Sequence, residues 1–140
     1  MAEHEIWKRV SLRKGYQVSN LGRVRSIDRR ILNSLGVHCL YHSKILKHQK
    51  GPNGYATVNL GKKYMTRYVH HLVMKAFRGK TPKGKEILHI DGNKKNSRLD
   101  NLKFGTRWEN MQDVVRHRYE QAWYDHAKNS NTQARPRGVV

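Results

Sequence analysis

At 140 residues the chain is long enough for one compact domain, or for two small modules that share a limited core. Its 29 lysines and arginines against 10 acidic residues leave a formal charge of +19 and a pI near 10.5, a surplus that repels itself in a compact fold unless a polyanion meets it, so a nucleic acid is the expected partner. One cysteine, Cys39, excludes an internal disulfide or a multi-cysteine zinc knuckle, and the acidic N-terminus and short apolar runs predict a protein that is neither exported nor membrane-bound, in a reducing cytoplasm.

In chain order, Val18, Leu21 and Val24 flank Ser19, Asn20 and Gly22, a pattern for two short strands joined by a tight turn, with Trp7 and Tyr16 as the large buried groups of a small sheet. Arg23, Arg25, Arg29 and Arg30 crowd the exit of this hairpin, where a row of guanidinium groups would grip phosphates. His38, His42 and His48, lacking cysteine or acidic company, fit no common metal-ligand spacing and read as loop histidines. Residues 43–47 form a strand and 50–54 a turn in this reading. Ala56, Val58 and Leu60 then alternate with polar partners up to a turn at Gly61, Lys62 and Lys63, and residues 64–69 return as the paired strand. The period changes after that. Val69, Leu72, Val73, Ala76 and Phe77 recur at helical spacing until Gly79 and Pro82, and His70 and His71 open this helix.

Residues 86–117 hold the candidate chemistry. A short apolar strand carries His89, an Asp91-Gly92 turn reverses the chain, and a polar loop runs to Asn101 before a helix begins at Thr106. Thr106 and Glu109 have the spacing of a capping box. Within the helix Asn110, Asp113 and His117 stand at i, i+3 and i+7 and share one face. Tyr119 and Trp123 continue the helix, and residues 128–140 are polar, aperiodic and read as a disordered basic tail.

The run His89-Ile-Asp-Gly-Asn-Lys-Lys-Asn96, followed by Asn101-Leu102 and by Asn110, resembles the HNH endonucleases, and most closely the phage homing endonucleases of that superfamily. Residues 16–26, Tyr-Gln-Val-Ser-Asn-Leu-Gly-Arg-Val-Arg-Ser, are similar to the nuclease-associated modular motif found ahead of such sites. The resemblance implies an α+β fold: an antiparallel β module over residues 1–50 that binds DNA, then a ββα-metal nuclease core over 51–127. It implies hydrolysis of phosphodiester bonds in double-stranded DNA, by a phage-encoded protein acting in a bacterial host cell. His89 would be the general base, suited by a reference pKa of about 6.5. Asn101 would tie the loop that carries it, and Asn110 would stand at the helix metal-ligand position. One ion, Mg²⁺ or Mn²⁺, would act as Lewis acid. Where many relatives carry an aspartate or histidine ligand just before the base, this chain has Leu88, which leaves Asp113, His117 or Asp91 to complete the sphere. Lys44, Lys47, Lys62 and Lys63 join the arginines as expected phosphate contacts. Leu88 also motivates the alternative of a non-catalytic DNA-binding module with a degenerate HNH fold, and the charge alone would suit an RNA-binding protein. Monomer and dimer are both left open.

Overall fold

Short strands separated by glycine turns build the first half of the chain, in a computed structural model that describes residues 3–61, 63 and 65–129. Strands β1 (Trp7–Arg9), β2 (Tyr16–Ser19) and β3 (Val24–Ser26) form an antiparallel meander. The chain next makes a hairpin, β4 (Arg29–Leu32) with β5 (His38–Tyr41), whose strands pair with each other. It returns as β6 (Lys44–Ile45) to complete a sheet of order β1-β2-β3-β6. A second antiparallel sheet follows from β7 (Gln49–Lys50), β8 (Ala56–Asn59) and β9 (Thr66–Tyr68).

Helix α1 (Val69–Arg78) is the element against which both sheets close. Its apolar stripe of Val69, Leu72, Val73 and Met74 is buried, and Gly79, with φ +84°, ends it where the sequence signalled a stop. Strands β10 (Glu86–His89) and β11 (Leu102–Gly105) pair antiparallel, with His89 opposite Leu102, and lead into helix α2 (Arg107–Asn129). No helix among the described residues is long and apolar enough to cross a membrane.

The core joins what the sequence suggested as two modules. Val10, Tyr16, Val18 and Val24 from the first sheet pack in one cluster with Ala56, Val58, Leu60, the α1 stripe and Leu102. The expected boundary after residue 50 falls at the end of β7, which pairs with β8, so the backbone ladder and the core are both continuous across it. The architecture is α+β, a sheet-rich N-terminal part followed by a strand pair and helix. Helix α2 extends to Asn129, which takes residues 128 and 129 out of the expected tail; the rest of that tail lies outside the described residues, as does Lys62. Trp7 departs from expectation too. It is only half-buried, because the Arg25 guanidinium lies 3.9 Å from its ring centre and that of Arg23 5.7 Å away.

One contact ties the first turn to the later loop. Gly22 has φ +82°, and a Cβ there would lie 2.9 Å from the backbone carbon of Ser97, while the Leu99 amide donates to the Asn20 carbonyl at 2.9 Å. Backbone cannot swing aside as a side chain can, so Gly22→Ala combines left-handed strain with overpacking and is expected to cost about 2–4 kcal/mol. A urea titration reads this as a lower midpoint at unchanged slope.

Candidate active site

The strand that carries His89 ends at a loop that would be costly to hold without internal hydrogen bonds, since residues 90–101 contain no strand of their own. Asn101 supplies them. Its Oδ1 accepts from the Asp91 amide at 3.0 Å, and its Nδ2 donates to Asp91 Oδ1 and to the Asn96 carbonyl, both at 2.9 Å. Its own carbonyl accepts from the Ile90 amide at 2.8 Å. Asp91 in turn accepts from the Asn93 amide and from Asn96 Nδ2. Partial burial raises the carboxyl's pKa, but the hydrogen bonds from Asn96, Asn93 and Asn101 outweigh it and leave it below the usual range. The effect is to fix the peptide units on either side of the turn that follows His89.

His89 itself is buried and held by packing. Its ring centre lies 4.9 Å from that of His70, edge-on, and 5.6 Å from that of Tyr55. Its Nε2 is buried without a hydrogen-bond partner among the described residues. Burial lowers its pKa; Asp91 opposes the shift and Lys94 adds to it, and the net effect favours the neutral ring. His70 stands at the centre of this cluster, its ring against those of Tyr55, Tyr68, His71 and His89. Burial, helped by His71 and His89, pulls its pKa down to about 3. The sequence placed His70 and His71 only at a helix start. Tyr55, which packs on His89, and Lys94, which lies over Tyr55, carried no signal beyond strand alternation and a place in the motif.

Helix α2 begins as its cap predicts, with the Glu109 amide donating to Thr106 Oγ1 at 3.2 Å. Asn110, Asp113 and His117 fall on its half-buried face. The His117 ring rests on the turn after His89: a Cβ on Gly92, whose φ is +74°, would lie 2.5 Å from His117 Nδ1. Asp113 is shared between two cations, Lys103 at 3.4 Å and Arg116 at 3.0 Å, and its Oδ2 is buried without a hydrogen bond. Leu88 points to this side of the strand pair, 2% exposed and packed on Gly105. No group of three His, Cys, Asp or Glu side chains that could hold a metal ion occurs among the described residues.

The arginines at the hairpin exit are held by different partners within the chain. Arg23 pairs with Glu5, Arg25 stacks on Trp7 and donates to Gln17 Oε1, and Arg29 lies over the rings of Tyr16 and Tyr41. Only Arg30 is left on an exposed strand position with no such partner among the described residues, and the exposed Lys63, which has an interaction of its own, lies on the far side of β8 in the chain. Sequence spacing could not show this, because Glu5 and Trp7 lie well upstream of the side chains they hold.

Comparison with known proteins gives consistent matches. The family model described as HNH endonuclease matches residues 67–112, and that of the NUMOD4 motif matches residues 5–61. The DNA endonuclease I-HmuI of Bacillus phage SP01 is 36% identical over 112 residues, covering 78% of this chain and 57% of the relative. An uncharacterised HNH endonuclease of Acanthamoeba polyphaga mimivirus is 33% identical over 118 residues, covering 79% of this chain and 26% of the relative. The chain thus spans only part of the length of these relatives. A solved structure, described as DNA binding and cleavage by the HNH homing endonuclease I-HmuI, superposes with a TM-score of 0.61 at 31% identity, covering 89% of this chain and 68% of the other.

Two outcomes test this geometry. Asn101→Ala leaves the Asp91 amide and carboxylate without their partner, and is expected to destabilise the fold by about 2–4 kcal/mol and to speed hydrogen exchange at Ile90 and Asp91. For pH, the folded His70 binds its proton far more weakly than an unfolded histidine with a value of 6.5. The unfolded chain therefore takes up protons first, and stability, full above about pH 6.5, falls as the pH drops from there toward 3, with a slope of up to about 1.4 kcal/mol per pH unit for this one group. His71 and His89 are shifted the same way by burial. Urea midpoints taken down this range should fall less steeply for His70→Phe than for the wild type.

Proposed function

Since the chain belongs to the HNH endonuclease family, we propose that it hydrolyses phosphodiester bonds of double-stranded DNA, with His89 as general base. The observation that carries this reading is the buried imidazole of His89 at the end of a strand whose following turn is pinned by Asn101. A neutral imidazole is the form that accepts a proton from an attacking water, and a positioned base of this kind contributes about 10²–10⁴-fold. Asn101 acts at one remove, holding the turn so that the base keeps its place.

A divalent ion, Mg²⁺ or Mn²⁺, would be held on α2 by Asp113 with Asn110 and His117. The donor chemistry fits. Asp113 Oδ2 is a buried carboxylate oxygen that already faces a cation, the Lys103 ammonium at 3.4 Å, and its neighbours on the face add an amide and an imidazole. With Leu88 in place of a ligand the protein offers a partial sphere, and Mg²⁺ is commonly held by one or two carboxylates with water and substrate phosphates filling the rest. When bound, the ion supplies Lewis-acid stabilisation of charge on the phosphate and the leaving oxygen. Lys103 and Arg116 would have to loosen their hold on Asp113 for it to enter, and could then turn to the DNA backbone.

The +19 charge supports a DNA partner gripped through phosphates. Arg30 and Lys63, with the lysines at 44 and 47, are the exposed cations suited to it; Arg23, Arg25 and Arg29 serve first to rigidify the sheet that presents them.

Leu88 is the observation that favours a second reading, a DNA-binding module without activity. Nicking of supercoiled plasmid separates the two. With Mg²⁺ or Mn²⁺ the wild type should relax the plasmid, chelator should stop it, and His89→Ala should lower the rate by about 10²–10⁴-fold while DNA affinity stays near the wild-type value. A wild type that binds DNA tightly in a salt-sensitive way and never nicks it would leave the binding module as the better account.

A further inference from the structure

Lys94 follows His89 by one short turn of loop, and its side chain is fixed in place. Its Nζ donates to the Asn53 carbonyl at 2.9 Å and lies 5.0 Å from the centre of the Tyr55 ring, the same ring that packs on His89. The backbone is fastened too, through the Lys94 carbonyl, which accepts from the Ala56 amide at 3.4 Å. Asn53 holds φ +60° and ψ +15°, a left-handed conformation that costs a non-glycine residue about 1–2 kcal/mol, and the carbonyl of this strained residue is the one Lys94 uses.

This arrangement fixes a positive charge at the ring that packs against His89. No carboxylate among the described residues forms an ion pair with Lys94, and Asp91, the acid in the same loop, is taken up by Asn93, Asn96 and Asn101. An ammonium held there without an ion-pair partner of its own is placed to meet an arriving phosphate.

We propose that Lys94 is a catalytic residue whose ammonium binds a non-bridging oxygen of the scissile phosphate on the side of the base. The inference rests on the reading of the chain as a DNA nuclease and adds a residue to it. As the water oxygen forms its bond to phosphorus, its proton passes to His89, the bond from phosphorus to the leaving sugar oxygen breaks, and that oxygen takes a proton from solvent. Lys94 donates hydrogen bonds throughout and gives up no proton. Its charge stabilises the negative charge that gathers on the phosphoryl oxygens. Tyr55 and Asn53 hold the ammonium in position in advance, so little reorganisation is left for the reaction itself.

The test uses the full chain and supercoiled plasmid, with single-turnover nicking at saturating protein and DNA affinity measured separately in chelator. Lys94→Met keeps an unbranched stem over Tyr55 and removes the charge. It is expected to slow nicking by about 10²–10³-fold, with a far smaller loss of affinity and an unchanged urea midpoint, and Lys94→Arg should recover most of the rate. A Lys94→Met rate close to that of the wild type overturns the inference while leaving the nuclease reading intact. Equal losses in both variants, with a lowered urea midpoint, would make Lys94 a loop clamp and also overturn it. A wild type that fails to nick with either metal removes both readings together.

Discussion

The hydrogen-bond clasp between Asn101 and the Asp91 turn is the constraint on which the rest depends. A histidine at the end of a two-stranded ribbon would have little reason to keep one position, because such a ribbon is marginal on its own. Asn101 is the last residue of the loop, just before the second strand, and its amide holds both the Asp91 turn at the start of that loop and the Asn96 carbonyl in its middle. It thereby converts a long polar connection into a rigid cap on the strand pair. The cap is seated on Gly22 and Asn20 of the first sheet and on Asn53 and Ala56 of the second, so the N-terminal half serves the site as its foundation. That role would be lost if the two halves were independent modules.

The treatment of charge follows a similar economy. A chain of this charge must keep its cations apart or give them something to rest on, and the structure uses aromatic rings as often as carboxylates. Trp7 takes two guanidinium groups, Tyr16 lies under Arg13 and Arg29, and Tyr55 lies under Lys94. Rings hold a cation without neutralising it. The positive field needed to attract a polyanion therefore survives while the side chains are ordered.

Much of the fold was legible because it is local. The strand at 56–59, the helical period from Val69 with its glycine stop, and the cap at Thr106 all state their structure within a few residues, and each is found, though Thr57 is buried along with its apolar neighbours. The site motif was legible for the same reason: strand, turn and asparagine fall within a span of fewer than twenty residues, so spacing alone brings them together. What escaped was long-range. Trp7 reads as a core residue until Arg25 is found on its face, and the arginines read as a free row until Glu5, Tyr16 and Tyr41 claim them. The aromatic frame of His89 draws Tyr55 from one sheet and His70 from a helix, and nothing in either segment announces the meeting.

The pleat of β10 explains why an apolar residue at position 88 leaves the surroundings of His89 intact. Successive strand residues face opposite sides, so His89 meets Tyr55 and His70 while Leu88 meets Gly105 under the start of α2. The two positions are neighbours in sequence but belong to separate environments, one an aromatic pocket and one a helix interface. The leucine on the helix side is buried and packed on Gly105. A change at position 88 is thus free to proceed on that side without dismantling the aromatic packing around His89, because the pleat keeps the two side chains apart.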